Sequence, residues 1–389
     1  MKRKFLIAAL LALAISFAGC TANTNTTTPP SSTTTSIQTT TPSSLEGTSA
    51  TQLETTVESV YANTNQSVVN IQVNLQASAS NPGGGALGSG FVWDTLGNIV
   101  TNNHVVDGAT RITVTFYDGS TVEASLVGTD VDSDLAVVKV NTSDVDVYGI
   151  KLQPVSVADS TQLKVGQMAI AIGNPFGLEG TMTVGFISGL GRLLSANQNA
   201  VGPTYSIPDI IQTDAAINPG NSGGVLLDLT GKLIGVTNSI DTTTGTNAGV
   251  GFAIPSKIVQ QVVPPLISSG HYEHPYLGIS VITLNPDLAK AMALPSTQRG
   301  ALVETVTTGS PADKAGIKAS NNPTTINGQQ VNVGGDVIIA FNGETIKSSD
   351  DLIAFLARSG VVGQTATLTV LRSGKQTQIQ VTLGVRPSS

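Results

Sequence analysis

The chain opens on Lys2, Arg3 and Lys4, followed by an apolar run from Phe5 to Phe17. That run is shorter than the about 20 residues a membrane-spanning helix needs, and its basic flank predicts an export signal over residues 1–20. From Thr21 to about Ala50 the sequence turns to Thr, Ser, Pro and Asn with almost no bulky apolar side chain. Such a segment cannot bury enough surface to offset its ordering entropy, so a disordered tether is predicted, with an r.m.s. reach of roughly 30 Å. Beyond it, apolar residues recur in short β-branched or alternating runs. These are Val68–Leu75, Gly90–Trp93, Asn98–Thr101, Arg111–Phe116, Leu135–Val140, Met168–Ile172, Leu226–Leu229, Leu233–Val236 and Val250–Ile254, punctuated by Gly, Asp and Asn. Many short strands at such spacing predict a β-barrel or sandwich over residues 51–269. Ser256–Ile267 predicts a closing helix, which Pro264-Pro265 should end or distort.

A second region, 272–386, mixes strands and helices. Ser310-Pro311-Ala312-Asp313 opens one helix with proline at its first position. Ser348 and Asp351 stand at capping-box spacing at the start of another, Ser349–Ser359, with Gly360 just past its end. Asn342-Gly343 between Val337–Phe341 and Glu344–Ile346 predicts a two-residue hairpin turn. No internal repeat is visible.

Composition narrows the function. The 389 residues suit two or three domains, and 26 acidic against 19 basic side chains leave a net charge of −7. That balance argues against a nucleic-acid binder, which would show a basic face. Only one cysteine is present, which excludes an internal disulfide and a cysteine-based metal site. No metal or organic cofactor is expected. The cysteine, Cys20, follows Ala18-Gly19 and resembles the lipid-attachment cysteine of a lipoprotein signal, although Phe17 stands where that pattern usually has Leu. A membrane anchor through lipidated Cys20 is the expectation.

The candidate chemistry lies in the first region. Ser222, in Pro219-Gly220-Asn221-Ser222-Gly223-Gly224, can be held on a tight turn that aims backbone N–H groups into one concave spot, as acyl transfer requires. A serine nucleophile needs a neighbouring base. Of the chain's histidines, His104, His271 and His274, only His104 precedes the interdomain linker, where the other two are expected to be exposed. A carboxylate ahead of the apolar run Leu135–Val140 could orient that imidazole, but Asp130, Asp132 and Asp134 cannot be separated by chemistry alone. The order histidine, aspartate, serine is the chymotrypsin-type order.

These stretches resemble the trypsin-like protease domain of the HtrA/Deg family. The likeness is carried by Gly88-Ser89-Gly90-Phe91-Val92, Thr101-Asn102-Asn103-His104-Val105-Val106, Asp134-Leu135-Ala136-Val137-Val138, Gly173-Asn174-Pro175-Phe176-Gly177, Asp214-Ala215-Ala216-Ile217-Asn218-Pro219-Gly220-Asn221-Ser222-Gly223-Gly224 and Gly251-Phe252-Ala253-Ile254-Pro255. The resemblance implies a mainly β fold, a chymotrypsin-like double β-barrel followed by an α+β PDZ domain, and a serine endopeptidase of protein quality control acting on unfolded or damaged proteins. It implies the triad His104, Asp134 and Ser222, an oxyanion hole at Gly220, Asn221 and Ser222, and a homotrimer. Val225 departs from the family's usual proline. Ala216 occupies the place six residues before the nucleophile where trypsin has a carboxylate. With Ile217 and Val250 it suggests a pocket for a small aliphatic residue such as Val or Ala. Asn221 stands where zymogen relatives have an aspartate, so loop reordering is the expected activation route, with Phe176–Gly185, Leu190–Pro208 and Asp241–Gly249 as the candidate loops.

The second region resembles a PDZ domain, with Tyr276-Leu277-Gly278-Ile279 as the carboxylate-binding loop and Ser349–Ser359 as the opposite wall. That implies capture of peptide C-termini by strand addition. The alternative is a peptide-binding or chaperone module whose triad is silent.

Overall fold

The computed structural model describes residues 50–76, 84–175, 177, 180–195, 206–238 and 249–387. The predicted export signal, Cys20 and most of the predicted tether lie outside these residues, as do parts of all three candidate loops: 176, 178 and 179 of the first, 196–205 of the second and 241–248 of the third. Among the described residues no helix is long and apolar enough to cross a membrane.

The fold is mainly β, as expected. Helix α1 (Ala50–Thr64) comes first; the sequence reading had no helix there. It docks through Val57, Val60 and Tyr61 onto the main core, and the Tyr61 hydroxyl donates to Gly180 O at 2.7 Å. Then β1 (Val68–Leu75), β2 (Gly84–Val92), β3 (Asn98–Thr101), β4 (Ala109–Thr115), β5 (Thr121–Asp130) and β6 (Leu135–Val140) close one barrel. A second barrel is closed by β7 (Met168–Gly173), β8 (Thr181–Ser195), β9 (Ser206–Thr213), β10 (Val225–Leu227), β11 (Leu233–Asn238) and β12 (Gly251–Pro255). Both barrels follow one strand order, β1-β2-β3-β6-β5-β4 and β7-β8-β9-β12-β11-β10. The chain therefore contains a repeat of topology that leaves no trace in its residues. Two of the candidate loops also shrink, since Thr181–Gly185 and Leu190–Ser195 are part of β8.

Strands such as β6 read as unbroken apolar runs because both faces are covered. Ala136, Val138 and Val140 point into the first barrel, whereas Leu135 and Val137 join Ile170, Ile172, Val225 and Val236 in a cluster between the barrels. That shared cluster sets one barrel against the other, and the cleft above it receives residues from both.

Two short helices decorate the first barrel, α2 (Asn103–Val106) and α3 (Thr142–Asp146). The closing helix α4 (Ser256–Ser269) continues past Pro264-Pro265 to Gly270, whose φ of 78° makes the cap. Prolines inside a helix cost about 3 kcal/mol. Here the buried stripe Ile258, Val259, Val262, Val263 and Leu266 offsets that, at about 1.5–3 kcal/mol per fully buried side chain.

After β13 (Pro275–Tyr276), β14 (Ile279–Thr283) forms the edge of the PDZ sheet, whose order continues through β15 (Ala301–Val306), β18 (Val337–Phe341), β20 (Thr365–Arg372) and β21 (Lys375–Thr382). The remaining elements are α5 (Pro286–Ala291), α6 (Pro311–Ala315), β16 (Asn322–Ile326), β17 (Gln329–Val333), β19 (Glu344–Thr345), α7 (Ser349–Ser359) and β22 (Gly384–Val385). Ser348 caps α7 through the Asp351 amide at 3.1 Å, while the Asp351 carboxylate accepts from Lys347 N at 2.8 Å. The hairpin turn at Asn342-Gly343 has φ of 50° and 86°, both left-handed, as its residue types require.

The linker histidines divide. His271 is exposed, but His274 is not, correcting the expectation: its side chain is 18% exposed and its Nε2 lies 2.8 Å from Asp130 Oδ1. A second contact joins the PDZ helix α7 to β9, where Arg358 makes a 3.0 Å ion pair to Asp209 Oδ1. Burial pushes the Asp209 carboxyl up to about 6, and Arg358 offsets only part of that rise. The folded protein therefore holds this proton more tightly than the unfolded chain, whose aspartate titrates near 4. Its contribution to stability is fully present below about pH 4 and is lost as pH rises through about 6. Asp209→Asn removes that dependence. The urea-derived stability of the variant relative to wild type is expected to grow by roughly 2–3 kcal/mol between pH 4 and pH 7. A constant difference across that range would contradict the assignment.

Candidate active site

Register brings histidine and aspartate together. Strands β3 and β6 are antiparallel with Thr101 opposite Ala136, so the residues leaving β3 run beside those entering β6. The pairing extends past the sheet: Asn103 N donates to Asp134 O at 3.1 Å and Asn102 Nδ2 to the same carbonyl at 2.9 Å. The chain then turns into α2, which carries His104. Asp134 ends the tight β5–β6 connection with φ of 54°, a left-handed conformation that aspartate tolerates better than most residues.

The Asp134 carboxylate is enclosed by donors. Oδ1 accepts from His104 N at 2.9 Å, and Oδ2 lies 2.7 Å from His104 Nδ1 and accepts from Asn238 Nδ2 at 2.8 Å. The carboxylate side chain is 2% exposed, against 38% for the imidazole. An ionised carboxylate only accepts, so Nδ1 carries the proton and the neutral ring presents its lone pair at Nε2.

The three aspartates that chemistry could not separate are distinguished by their partners. Asp130 accepts from Ser133 N at 3.2 Å, from the Ser133 hydroxyl, and pairs with His274. Asp132 pairs with Arg386 at 3.3 Å. Of the three, Asp134 is the one joined to His104.

Ser222 is 3% exposed, on a loop gripped from both barrels. From the second barrel, Thr237 on β11 accepts from Gly223 N at 2.9 Å, donates its amide to Gly224 O at 3.0 Å, and donates its hydroxyl to Asn221 O at 2.5 Å. From the first, Ser89 N donates to Ser222 O at 2.7 Å and Ser89 Oγ to Gly220 O at 2.7 Å. The approach is close enough to demand glycine. A Cβ on Gly223 (φ 85°) would lie 2.2 Å from Ser89 O and 2.4 Å from Thr101 Oγ1, at the end of the strand leading to His104. Gly220 is also left-handed, with φ of 93°. Asn221, expected at the oxyanion site, gives its amide to Asn218 O at 3.0 Å instead, and its Oδ1 is buried without a partner beside Gly173.

The pocket residues lie on facing segments. Ile217 is buried, Ala216 half-buried and Val250 exposed. A Cβ on Gly251 would lie 2.9 Å from Ile217 Cδ1 and 3.0 Å from Ala215 O, so the wall formed by residues 215–217 stands against the start of β12. Thr183 Oγ1 holds the Ala216 carbonyl at 2.9 Å. None of these wall residues is charged.

In the PDZ domain, the loop Tyr276, Leu277, Gly278 and Ile279 leads directly into edge strand β14. Leu277 O accepts from Ala312 N at 2.9 Å, and Gly278 O accepts from Thr307 N at 2.9 Å and from Ser310 Oγ at 3.3 Å. Gly278 has φ of 82°, and a Cβ there would fall 2.2 Å from that of Ser310. At the far end of β14, Thr283 Oγ1 and Ser349 Oγ lie 2.8 Å apart, joining the strand to the start of α7.

Sequence reasoning missed Ser89, Thr237 and Asn238. Ser89 lies within a stretch that carried the resemblance; Thr237-Asn238 reads as the polar end of a strand and gives no local sign of what it touches.

Residues 88–236 match a trypsin-like peptidase domain and residues 275–383 a PDZ domain. A probable periplasmic serine protease, do/HhoA-like, from Haemophilus influenzae is 41% identical over 304 residues, 78% of this chain and 59% of that protein. Protease Do-like 1, chloroplastic, from Arabidopsis thaliana is 43% identical over 300 residues, 77% of this chain and 64% of that one. The chain thus spans about three fifths of the length of these curated relatives. The solved structure of the HtrA-type protease AlgW with a tripeptide superposes with a TM-score of 0.65 at 32% identity, covering 86% of this chain and 98% of that one. Two six-stranded barrels with a trailing PDZ domain, and sequence likeness running through both, lead to one conclusion: the chain belongs to the HtrA/Deg family of trypsin-like serine proteases.

Proposed function

We propose that the protein is a serine endopeptidase with His104, Asp134 and Ser222 as its triad. The observation that carries this reading is the 2.7 Å contact of His104 Nδ1 with buried Asp134, made beside the doubly anchored Ser222 loop. His104 Nε2 takes the Ser222 hydroxyl proton as Oγ attacks a peptide carbonyl. The amides of Gly220 and Ser222 hold the oxyanion, since that of Asn221 is committed to its own turn. His104 then delivers the proton to the leaving amine as the C–N bond breaks, and a water activated by the same imidazole hydrolyses the acyl-enzyme. Asp134 keeps the ring oriented and stabilises its cationic form.

The uncharged wall at Ala216, Ile217 and Val250 favours cleavage after small aliphatic residues. The PDZ loop Tyr276–Ile279 takes a peptide carboxylate, with the chain of the peptide adding to the free side of β14. Unfolded or damaged proteins outside the cytoplasm are the proposed substrates, supported by the export signal and by relatives named as periplasmic serine proteases. Lipidated Cys20 would tether the protein to the membrane, and the family likeness supports a homotrimer.

Fluorophosphonate labelling tests the chemistry. We expect one adduct per chain, mapped to Ser222, and casein cleavage that responds to added C-terminal peptides. A protein that binds peptides but neither labels nor cleaves would be a silent binding module instead.

A further inference from the structure

We propose that Asn238 is a positioning residue that ties the base of the triad to the barrel carrying the nucleophile, a role that rests on the endopeptidase reading. His104 and Asp134 both belong to the first barrel, whereas Ser222 precedes β10 in the second. Their relative placement is therefore a matter of how two separately closed barrels are set against each other. The shared apolar cluster fixes that only by packing, which tolerates small slips. A hydrogen bond is more demanding, because it weakens steeply with misalignment.

Strand β11 ends in the dipeptide that supplies this bond. Thr237 holds the Ser222 loop by its amide, carbonyl and hydroxyl. Asn238, next along the chain, donates Nδ2 across the barrel boundary to Asp134 Oδ2 at 2.8 Å, the same oxygen that faces His104 Nδ1. The ladder from Gly235 to Asn238 against β12 is regular, so Asn238 points the same way as Val236, into the interface between the barrels. Asn238 is 5% exposed. Water is therefore poorly placed to substitute for it. Adjacent residues of one strand thus grip the nucleophile loop and the orienting carboxylate, and the strand itself becomes the spacer between them.

An amide suits the task. A carboxylate accepts only, so the NH2 end must face Asp134, and that end cannot act as an acceptor and compete for the His104 proton. Oδ2 then has two donors converging on it, which fixes the carboxylate plane and with it the imidazole plane.

The test compares wild type with Asn238→Leu and Asn238→Asp, which keep the approximate shape but remove the donor. For peptide hydrolysis we expect kcat to fall about 10- to 100-fold for the leucine variant with KM unchanged, the loss typical of a hydrogen bond to a charged group. The aspartate variant should lose more, because it sets a second carboxylate against the first. Independently of turnover, the His104 Nδ1 proton signal in the NMR spectrum should shift or broaden in both variants. It is readily assigned in a chain with three histidines. An unchanged kcat together with an unmoved His104 signal would overturn the proposal. If wild type itself shows no hydrolysis, the endopeptidase reading fails, and the His104 signal still decides whether Asn238 orients the pair. Equal losses in kcat and thermal stability with an unmoved signal would reduce Asn238 to a packing residue.

Discussion

Replacing Ser222 with alanine should lower peptide hydrolysis by about 10⁵- to 10⁶-fold while leaving the fold intact. The size follows from what is removed: without the oxygen no acyl-enzyme forms, and only binding and oxyanion stabilisation remain. The innocence of the change follows from how the loop is built. Its hydrogen bonds to Ser89 and Thr237 run through the backbone of Gly220, Asn221, Ser222, Gly223 and Gly224 and do not require the hydroxyl. Its sharp turns depend on Gly220 and Gly223. The variant should therefore melt within a degree or two of wild type and still bind C-terminal peptides. Casein release and peptide kcat/KM are the measurements. Undiminished cleavage by Ser222→Ala would end the assignment of the nucleophile.

Asp134→Asn should cost about 10⁴-fold in kcat and about 1–3 kcal/mol of stability, because buried donors lose an acceptor. Asparagine accepts the left-handed conformation at this position nearly as well as aspartate does, so the tight turn survives. The fault lies in the donors. Three N–H groups converge on the carboxylate, one on Oδ1 and two on Oδ2. An amide has only one acceptor oxygen. Turned to satisfy His104 N, it presents NH2 to His104 Nδ1 and to Asn238. The imidazole must then carry its proton on Nε2, facing Ser222, where it cannot act as a base. Turned the other way, it leaves the His104 amide facing another donor. Nitrogen-15 spectra of His104 should report the switched tautomer, and a rate within tenfold of wild type would show that Asp134 does not orient the ring.

Much of this was legible before any coordinates. The β-branched runs marked the strands, and the cap Ser348 and the turn Asn342-Gly343 marked PDZ elements because each rests on a local rule of backbone chemistry. The resemblance supplied Asp134. Other features escaped because they depend on distant partners. Helix α1 carries a weak amphipathic pattern and takes its stability from docking on the main core. The proline pair in α4 obeys its local rule in cost but loses to a buried stripe that only the packed protein supplies. His274 looked like a linker residue until Asp130, far away in sequence, closed on it.

By itself, the order of residues determined which side chains could do chemistry here: one serine on a glycine turn, one histidine ahead of the linker, a few acids before an apolar strand. Which acid faces the imidazole, and which amide from the opposite barrel steadies it, was decided by strand register and by the seating of one barrel on the other. Those are sums over many long-range contacts, and no local pattern of residues carries them.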